Sequence, residues 1–488
     1  MKNHRIIKIG LIIPDISQIK DYQISLINSL KKNKEYEIKL IKTNSNLKKK
    51  ENRLLFFFEK KFQKRKKSLS LNNINFIKKA IFIPINKIID YKKKDIDIFI
   101  NILGSKFPSS FKNNTKPFWD INYGYSDDSS YPICFDDLIF QRPYSSVKIT
   151  ETFRGKYKEV IKGKFNIRSY ALLHEEFVLE KTIVLVIKAL NLFTKQQLNY
   201  KKILQRKNKN LNINIFHIFN YYKKRYFEKI SSTYKSWKIF YLKNKKDINL
   251  TGNKFIKYKT NEYFADPFIY KFKSKIFIFF ENFNKDQGKG NISFVDLSNN
   301  QKKGQILSKN YHLSYPFIFN FKKKIYLSPE TAKAKELQIW KCTSFPTQWK
   351  LYKKAFKNQS MADPTFFYDK KKRLWLFINK SIDKYNDHNS ELYIYEVKNN
   401  FRDFIPHKLN PVIIDCTIAR NAGNLFYYKS KLIKPCQINI NGEYGYGLQL
   451  IEIKKLSLDE FIYIKIKSYR KIHHLSHSNN YIAWDKAI

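Results

Sequence analysis

ADPFIYKFKSKIFIFFE, residues 265–281, returns three more times along this chain of 488 residues. The copies are YPFIFNFKKKIYLSPE (315–330), DPTFFYDKKKRLWLFIN (363–379) and AGNLFYYKSKLIKPCQ (422–437), with starts at 266, 315, 363 and 422. Each has a short apolar run, a polar tip rich in Lys and Ser, and a second apolar run. Aromatic and β-branched runs bracketing a short polar tip favour a β-hairpin over a helix. A third apolar stretch follows every hairpin, at 291–297, 336–342, 391–397 and 447–453. Three or four strands repeated about every 50 residues predict propeller blades. Residues 240–488 therefore divide into five blades. The fifth is expected to combine strands at 237–242 and 255–258 with others at 463–466 and 481–484, closing the ring with both ends of the domain so that no edge strand is left open.

The rest of the chain reads differently. Residues 1–193 predict an α/β domain with an open sheet. An apolar run at 6–13 suits a buried parallel strand, apolar residues at helical spacing fill 22–30, and 36–41 alternates as a second strand. Another buried strand is expected at 95–103, and 44–70 reads as a Lys-rich loop or exposed helix. Residues 194–239 read as a helical linker, with one clean helical stretch at 219–237. The apolar run at 182–193 is shorter than the roughly 20 residues a membrane span needs, and the N-terminus lacks a signal-peptide cleavage pattern. A cytoplasmic protein without a transmembrane segment is expected.

The formal net charge is +53, with 94 Lys and Arg against 41 Asp and Glu. Such a balance ordinarily points to nucleic acid or an anionic membrane. Here Lys, Asn, Ile, Phe and Tyr are inflated together and the basic residues are spread through every segment. That pattern suits drift in an AT-rich genome, so a nucleic-acid partner is not expected. The four cysteines, Cys134, Cys342, Cys416 and Cys436, have no spacing suited to zinc. The first βα turn carries Pro14-Asp15 where a dinucleotide site needs glycines. No metal and no cofactor are expected. Asp95-Ile-Asp97 spells the D-x-D of sugar-nucleotide transferases, but reads as the solvated head of a strand.

In a propeller, equivalent positions of successive blades converge on one axis. Asp266, Tyr315, Asp363 and Ala422 share one register, and Glu281 and Glu330 share another. His312, Asp415, Arg420, His474 and His477 are expected nearby. Carboxylates bind sugar hydroxyls, and the rings of Phe264, Tyr315 and Trp375 are expected as walls for a pyranose face. Paired carboxylates also serve glycosidic hydrolysis, one protonating the leaving oxygen and the other activating water. Asp266, Glu330 and Asp363 are the candidate catalytic set; Glu281, His312, Tyr315, Asp415, Arg420 and His477 are candidate substrate contacts. Asp-Pro before a strand is also a good turn in its own right. Catalysis, binding without turnover and a purely structural role all stay open.

The blocks FADPF, FFENF, YHLSYPF, SPE, MADPTFF, SELYIY, NPVI, ARNAG and YGYGLQL, in that order, resemble the N-terminal domain of the glucosamine inositolphosphorylceramide transferase family. That domain is similar to the five-bladed propellers of glycoside hydrolase family 43. The resemblance implies a carbohydrate-related propeller that binds or processes a glycan or sugar conjugate, in a setting such as bacterial surface-polysaccharide assembly. In plant members a separate glycosyltransferase domain follows, and the sequence read here stops ahead of it. The family 43 pattern implies Asp266 as base, with Asp363 or Glu330 supplying the orienting and acid groups; Tyr315 stands where a second-blade Asp would help. A non-enzymatic interaction scaffold is the alternative. The segments DIDIFINILGSKF, WDINYGYSD and SSVKITETFRGKYKEVIKGKFNI resemble a formyltransferase-like domain. Active members carry an Asn and a His in the loop; here Asn122-Tyr123-Gly124 stands in that place, implying a degenerate, non-catalytic copy.

Overall fold

The structure is a computed structural model. It describes residues 6–43 (16 and 17 aside), 56, 59, 81–82, 95–103, 115–124, 131–202, 213–230 and 236–488 (244–247, 249, 253, 300 and 479 aside). The chain divides into two compact units, Met1–Ile230 and Ser231–Ile488.

The first unit is built on one eight-stranded sheet in the order β3-β2-β1-β4-β5-β6-β7-β8. Its parallel strands are β1 (Ile7–Ile13), β2 (Tyr36–Lys42), β3 (Ile81–Phe82), β4 (Ile98–Asn101) and β5 (Phe118–Tyr123). The hairpin β6 (Tyr144–Phe153) and β7 (Lys156–Asn166), with β8 (Lys201–Lys202), extends the sheet antiparallel. Ile9, Leu11, Ile12 and Ile13 are fully buried on both faces of β1, as a continuous apolar run in a parallel strand requires. The helix α1 (Asp21–Lys31) joins β1 to β2; it has an acid in its first turn and a base in its last, matching the helix dipole. A short helix, α2 (Phe135–Ile139), precedes β6, and the helix α3 (Ala171–Thr194) buries Val178, Leu185 and Ala189. No helix among the described residues is long and apolar enough to cross a membrane.

The D-x-D acids have structural partners. Asp97 accepts the Lys8 N–H at 2.9 Å and Asp95 pairs with Lys39 at 3.6 Å. In the segment compared with formyltransferases, 119–123 lie in the strand β5 and Gly124 follows at φ 58°, while 125–127, and 44–70 apart from 56 and 59, lie outside the described residues. The boundary between units follows Ile230, so the helix α4 (Ile215–Ile230) belongs to the first unit, not to a connector. It docks there through Tyr221, whose ring meets Phe135 at 5.4 Å.

The second unit is a five-bladed propeller. Blade one is Glu262–Phe272, Lys275–Asn284, Lys289–Asp296 and Lys302–Leu307; blade two is Ser314–Phe321, Lys324–Glu330, Leu337–Ser344 and Gln348–Ala355. Blade three is Ser360–Tyr368, Leu374–Ser381, Glu391–Lys398 and Asp403–Pro406; blade four is Phe426–Tyr428, Lys431–Ile440, Glu443–Leu456 and Phe461–Arg470. Blade five joins Leu475–Ser478 and Tyr481–Ala487 to Trp237–Lys243, so the two ends of the unit close one sheet. One expectation is corrected here. Residues 463–466 lie in the outer strand of blade four, paired with Glu443–Leu456, while Phe255 contributes an isolated bridge to Phe240 of blade five.

The hairpin tips explain the register. Lys322-Lys323 and Lys429-Ser430 form two-residue turns with φ of 48° and 60°, and 47° and 63°, the twist that suits flanking strands. Apolar seams fill the gaps between blades. One runs through Phe268, Phe279, Phe317, Phe366 and Phe401 across blades one to three. Another joins blades three and four at Trp375, Phe377 and Ile451, and two more seal blade five against its neighbours. Each fully buried ring contributes about 1.5–3 kcal/mol.

Candidate functional site

Three of the four repeated hairpins open on the same irregularity. The pairing slips between Ala265 and Phe268, between Ser314 and Phe317, and between Ala362 and Thr365. The residue that starts each bulge has left-handed backbone: Asp266 at φ 51°, Tyr315 at 48° and Asp363 at 49°. A non-glycine residue there costs about 1–2 kcal/mol, and a bulge re-aims a side chain that strand alternation would otherwise place. In the fourth hairpin Gly423, beside Ala422, takes φ 129°. The partner residue of each bulge forms a second ring: Glu281 opposite Ala265, Glu330 opposite Ser314 and Asn379 opposite Ala362.

Around Arg420 these rings meet. Its Nε donates to Asp363 Oδ2 at 2.7 Å, its Nη2 to Asp363 Oδ1 at 3.4 Å and Glu330 Oε2 at 3.2 Å, and its Nη1 to Asn389 at 3.2 Å. The guanidinium also lies 5.0 Å from the centre of the Tyr444 ring. The Glu330 and Arg420 side chains keep 14% and 11% of their surface in contact with solvent, while Asp363 keeps 2%. One guanidinium cannot neutralise two carboxylates. Asp363 takes the shorter, bidentate contact. Burial first, then the Asp363 charge, pushes Glu330 well above the usual carboxylate range.

Behind this pair lies a relay of buried groups. Asp266 Oδ1 is 3.3 Å from His473 Nε2, and His473 Nδ1 is 2.7 Å from Asp485 Oδ1. Asp485 accepts the backbone N–H groups of Asp266, His473 and His474. Asp266 Oδ2 in turn accepts the Tyr315 N–H at 3.2 Å. Burial raises Asp266 to about 7 despite His473. Burial opposes a charge on His473, but the adjacent Asp485 outweighs it and raises the imidazole, while Asp485 itself is held low chiefly by that histidine against its own burial. Among the described residues, Asp266, His473 and Asp485 are the group whose ligand atoms come close enough to hold a metal ion. Asp485 already accepts three N–H donors and the imidazole, which suits an ion-pair relay better than a cation cage.

Of the residues named from sequence, Arg420 bonds Asp363 and Glu330 directly, and Asp266 is near enough to feel the charges of Asp363 and Arg420. Glu281 faces the same acids; burial and then the Asp266 charge raise it well above the usual range. His312 Nε2 lies 3.5 Å from Glu281, and its Nδ1 accepts the Gly290 N–H. Burial lowers that imidazole to about 4. Tyr315 reaches Asp266 through its backbone N–H alone, and Asp415 and His477 sit apart from the acids. Tyr315 is fully buried, its hydroxyl bonded to Thr365 and accepting the Gly423 N–H. Asp415 caps its own turn by accepting from the Thr417 N–H and hydroxyl. His477 stacks on Phe426 at 4.6 Å. The expected aromatic walls are corrected as well. Phe264 packs on Phe280 in the blade-one seam, and Trp375, four residues nearer the hairpin tip than Asn379, is sealed in the core with its N–H on Asp369. The ring that does stand beside the acids is Tyr444, 41% exposed.

Sequence reading missed Asp485, His473 and Tyr444. The signal was present: HHLSHSNNYIAWD (473–485) has the same plan of strand, polar tip and strand ending in an acid, so Asp485 is the fifth-blade counterpart of Glu281. Two cavities of the propeller lie elsewhere, one of about 450 Å³ lined by Phe264, Lys257 and Lys303 and one of about 360 Å³ lined by Asp369, Arg373 and Tyr427.

Sequence relatives share this region. Residues 251–487 match a family model, glucosamine inositolphosphorylceramide transferase 1, N-terminal. Glucosamine inositolphosphorylceramide transferase 1 of Oryza sativa subsp. japonica is 33% identical over 208 residues, 41% of this chain and 27% of the rice protein. The Arabidopsis thaliana protein of the same name is 27% identical over 212 residues, 42% of this chain and 27% of its own length. The chain thus spans about a quarter of the length of these relatives. Among solved structures it is similar to RS223-β-xylosidase, at 10% identity and a TM-score of 0.35 over 46% of this chain and 92% of that one. It is also similar to Zg3597, a family 117 glycoside hydrolase of Zobellia galactanivorans, at 11% identity and a TM-score of 0.34 over 48% and 75%.

Proposed function

We propose that the propeller binds a sugar or glycan conjugate at the open end of its axis, through Glu330, Arg420 and the Tyr444 ring. The observation that carries this reading is Arg420 shared between Asp363 and Glu330 beside a half-open tyrosine. A guanidinium and a carboxyl group together offer donors and acceptors to vicinal hydroxyls, and a flat ring covers the apolar face of a pyranose. The family match over residues 251–487 supports a carbohydrate-related role, since the relatives are named for glucosamine inositolphosphorylceramide transfer.

The test is a thermal-shift screen of the full chain against oligosaccharides and nucleotide sugars. Tyr444→Ala is expected to weaken the best ligand about tenfold, the loss of roughly 1.4 kcal/mol of ring contact. A propeller that only presents a face to partner proteins shows no sugar-dependent shift, and that result sinks the reading.

Hydrolysis is a second reading, favoured by the two perturbed carboxyl groups. Glu330, holding its proton, gives it to the leaving glycosidic oxygen; Asp266 takes a proton from the water that attacks the anomeric carbon. Asp266 is 4% exposed with one oxygen on Tyr315 N–H and the other facing His473, so this step needs that pairing to open. Glu330→Gln is expected to abolish turnover, by about a thousandfold or more, while sugar binding stays within a few-fold. Turnover surviving in this variant excludes Glu330 as the acid.

Asp266 also makes a prediction on stability. Its folded value of about 7 stands above the unfolded value near 3.9, so the unfolded chain releases this proton first as pH rises. Stability from this group is present in acid and lost between about pH 4 and pH 7. Asp266→Asn removes the titration. The variant should gain on the native protein as pH rises through that window, by up to about 1.4 kcal/mol per unit, read by urea unfolding at both ends. An equal difference at both ends shows that Asp266 titrates normally.

A further inference from the structure

The larger cavity of the propeller, of about 450 Å³, is built on one face of blade one, away from Arg420 and its acids. Strand alternation sets its floor. Phe264 stands opposite Asn282, Phe280 opposite Ser293 and Ser293 opposite Gln305, so these side chains, with Lys303 two residues before Gln305, share a face. Past Phe255, which bridges to Phe240 of blade five, the chain brings Tyr258, Lys259 and Glu262 to the cavity wall, and the Tyr258 ring meets Phe264 at 5.7 Å. Two polar groups of the floor have no partner. Ser293 is 4% exposed and its hydroxyl makes no hydrogen bond among the described residues; Asn282 Oδ1 is buried and equally alone. Buried polar groups are ordinarily bonded, so two orphans at one cavity mark a place for a ligand's polar atoms. The Lys303 ammonium donates to the Lys257 carbonyl and lies 5.1 Å from the centre of the Phe264 ring, with two further N–H groups to give. Burial lowers this ammonium; Glu262 opposes the shift and Lys259 adds to it, so both stand within electrostatic reach. Neither Lys259 nor Glu262 has an ion-pair partner among the described residues.

We propose that this cavity is a second ligand site, for a sugar phosphate: the phosphate on Lys259 and Lys303, the hydroxyls on Ser293, Asn282 and Glu262, and the apolar face of the ring against Tyr258 and Phe264. Size and charge select this class. The volume lies within the roughly 300–1,000 Å³ of small-molecule sites. Two ammonium groups against one carboxylate leave a surplus of positive charge, which a phosphate monoester of about −1.5 to −2 answers and a neutral sugar does not. The orphaned oxygens of Ser293 and Asn282 in turn call for donors, which the hydroxyls of a sugar supply. The site uses none of Glu330, Arg420 or Tyr444, and so does not depend on the axial one.

The test is isothermal titration of the full chain with glucose 6-phosphate and glucose 1-phosphate, beside glucose, inorganic phosphate and uridine monophosphate. A hexose phosphate should bind, with glucose and inorganic phosphate each weaker by about tenfold or more. Lys259→Glu should weaken that binding by about tenfold or more with the melting temperature unchanged, since the side chain is exposed and holds no ion pair. Ser293→Ala should weaken it about fivefold, the loss of one hydrogen bond, and Tyr444→Ala, at the axial site, should leave it as it is. The proposal is overturned if neither hexose phosphate binds, if Lys259→Glu binds them as the native chain does, or if Tyr444→Ala removes the binding. Inorganic phosphate bound as tightly as the hexose phosphates reduces the cavity to an anion site, and uridine monophosphate bound more tightly assigns it to a nucleotide; either result overturns the proposal equally.

Discussion

Gly423→Ala is expected to cost the propeller about 4 kcal/mol or more, enough to leave much of the unit unfolded at ordinary temperature. Two effects add. The residue sits at φ 129°, where an L side chain is strained, and a Cβ built there meets the Leu475 carbonyl oxygen at 1.9 Å and its carbon at 2.8 Å. Both obstacles are backbone, so no rotamer change relieves them. The neighbourhood is also where blades meet: the Gly423 N–H donates to the Tyr315 hydroxyl of blade two at 2.9 Å, and the Leu475 N–H of blade five donates to Ala422 at 2.8 Å. Moving Leu475 aside to admit a methyl group therefore pulls on three blades. Gly288→Ala is the control. It has φ 60° and nothing within 4 Å of the added Cβ, so it carries only the backbone penalty, about 1 kcal/mol. Urea unfolding followed by tryptophan emission separates the two, because five of the six tryptophans, at 237, 340, 349, 375 and 484, belong to the propeller. Equal costs at the two glycines refute the close approach of blades four and five.

The hairpins were legible in sequence because strand alternation and polar tips are local. So was the ring of Asp266 and Asp363, since equal register in repeated blades needs no tertiary knowledge. What escaped was non-local. Blade five is assembled from strands more than 200 residues apart in sequence, pairing Tyr481–Ala487 with Trp237–Lys243, and the partner of Asp266 therefore came from an unaligned repeat. The bulges misled in a second way. Strand alternation alone suggests that Tyr315, in the register of Asp266, aims its side chain where Asp266 does. Its ring instead packs on Phe268 and His474, and only its backbone N–H reaches the acid. The formyltransferase-like resemblance reads WDINYGYSD as a loop, whereas 119–123 are the strand β5, and the described sheet, parallel with an antiparallel extension, supports an open α/β unit at that coarser level.

Arg420→Met should destabilise the propeller by about 3–5 kcal/mol near neutral pH, because it leaves Asp363 and Glu330 buried against each other without their shared cation. Loss of packing contributes little: methionine retains much of the stem volume. The sign of the pH dependence identifies the cause. In the variant Glu330 loses the cation that opposes its protonation, so its folded value, already raised, moves further above the unfolded one near 4. A group raised in the folded state supports stability in acid and withdraws that support as pH rises through its folded value. The penalty should therefore shrink toward pH 5 and grow toward pH 8. Arg420→Lys is expected to fall between the native protein and the methionine variant at pH 8, since an ammonium retains the charge but lacks the planar fork that reaches Asp363, Glu330 and Asn389 together. Paired with Asp363→Asn/Glu330→Gln, Arg420→Met should cost markedly less than alone, a coupling of 1–3 kcal/mol in a double-mutant cycle. A penalty that stays the same from pH 5 to pH 8 would show that Arg420 is held for its shape, and that the acids beside it are neutral without it.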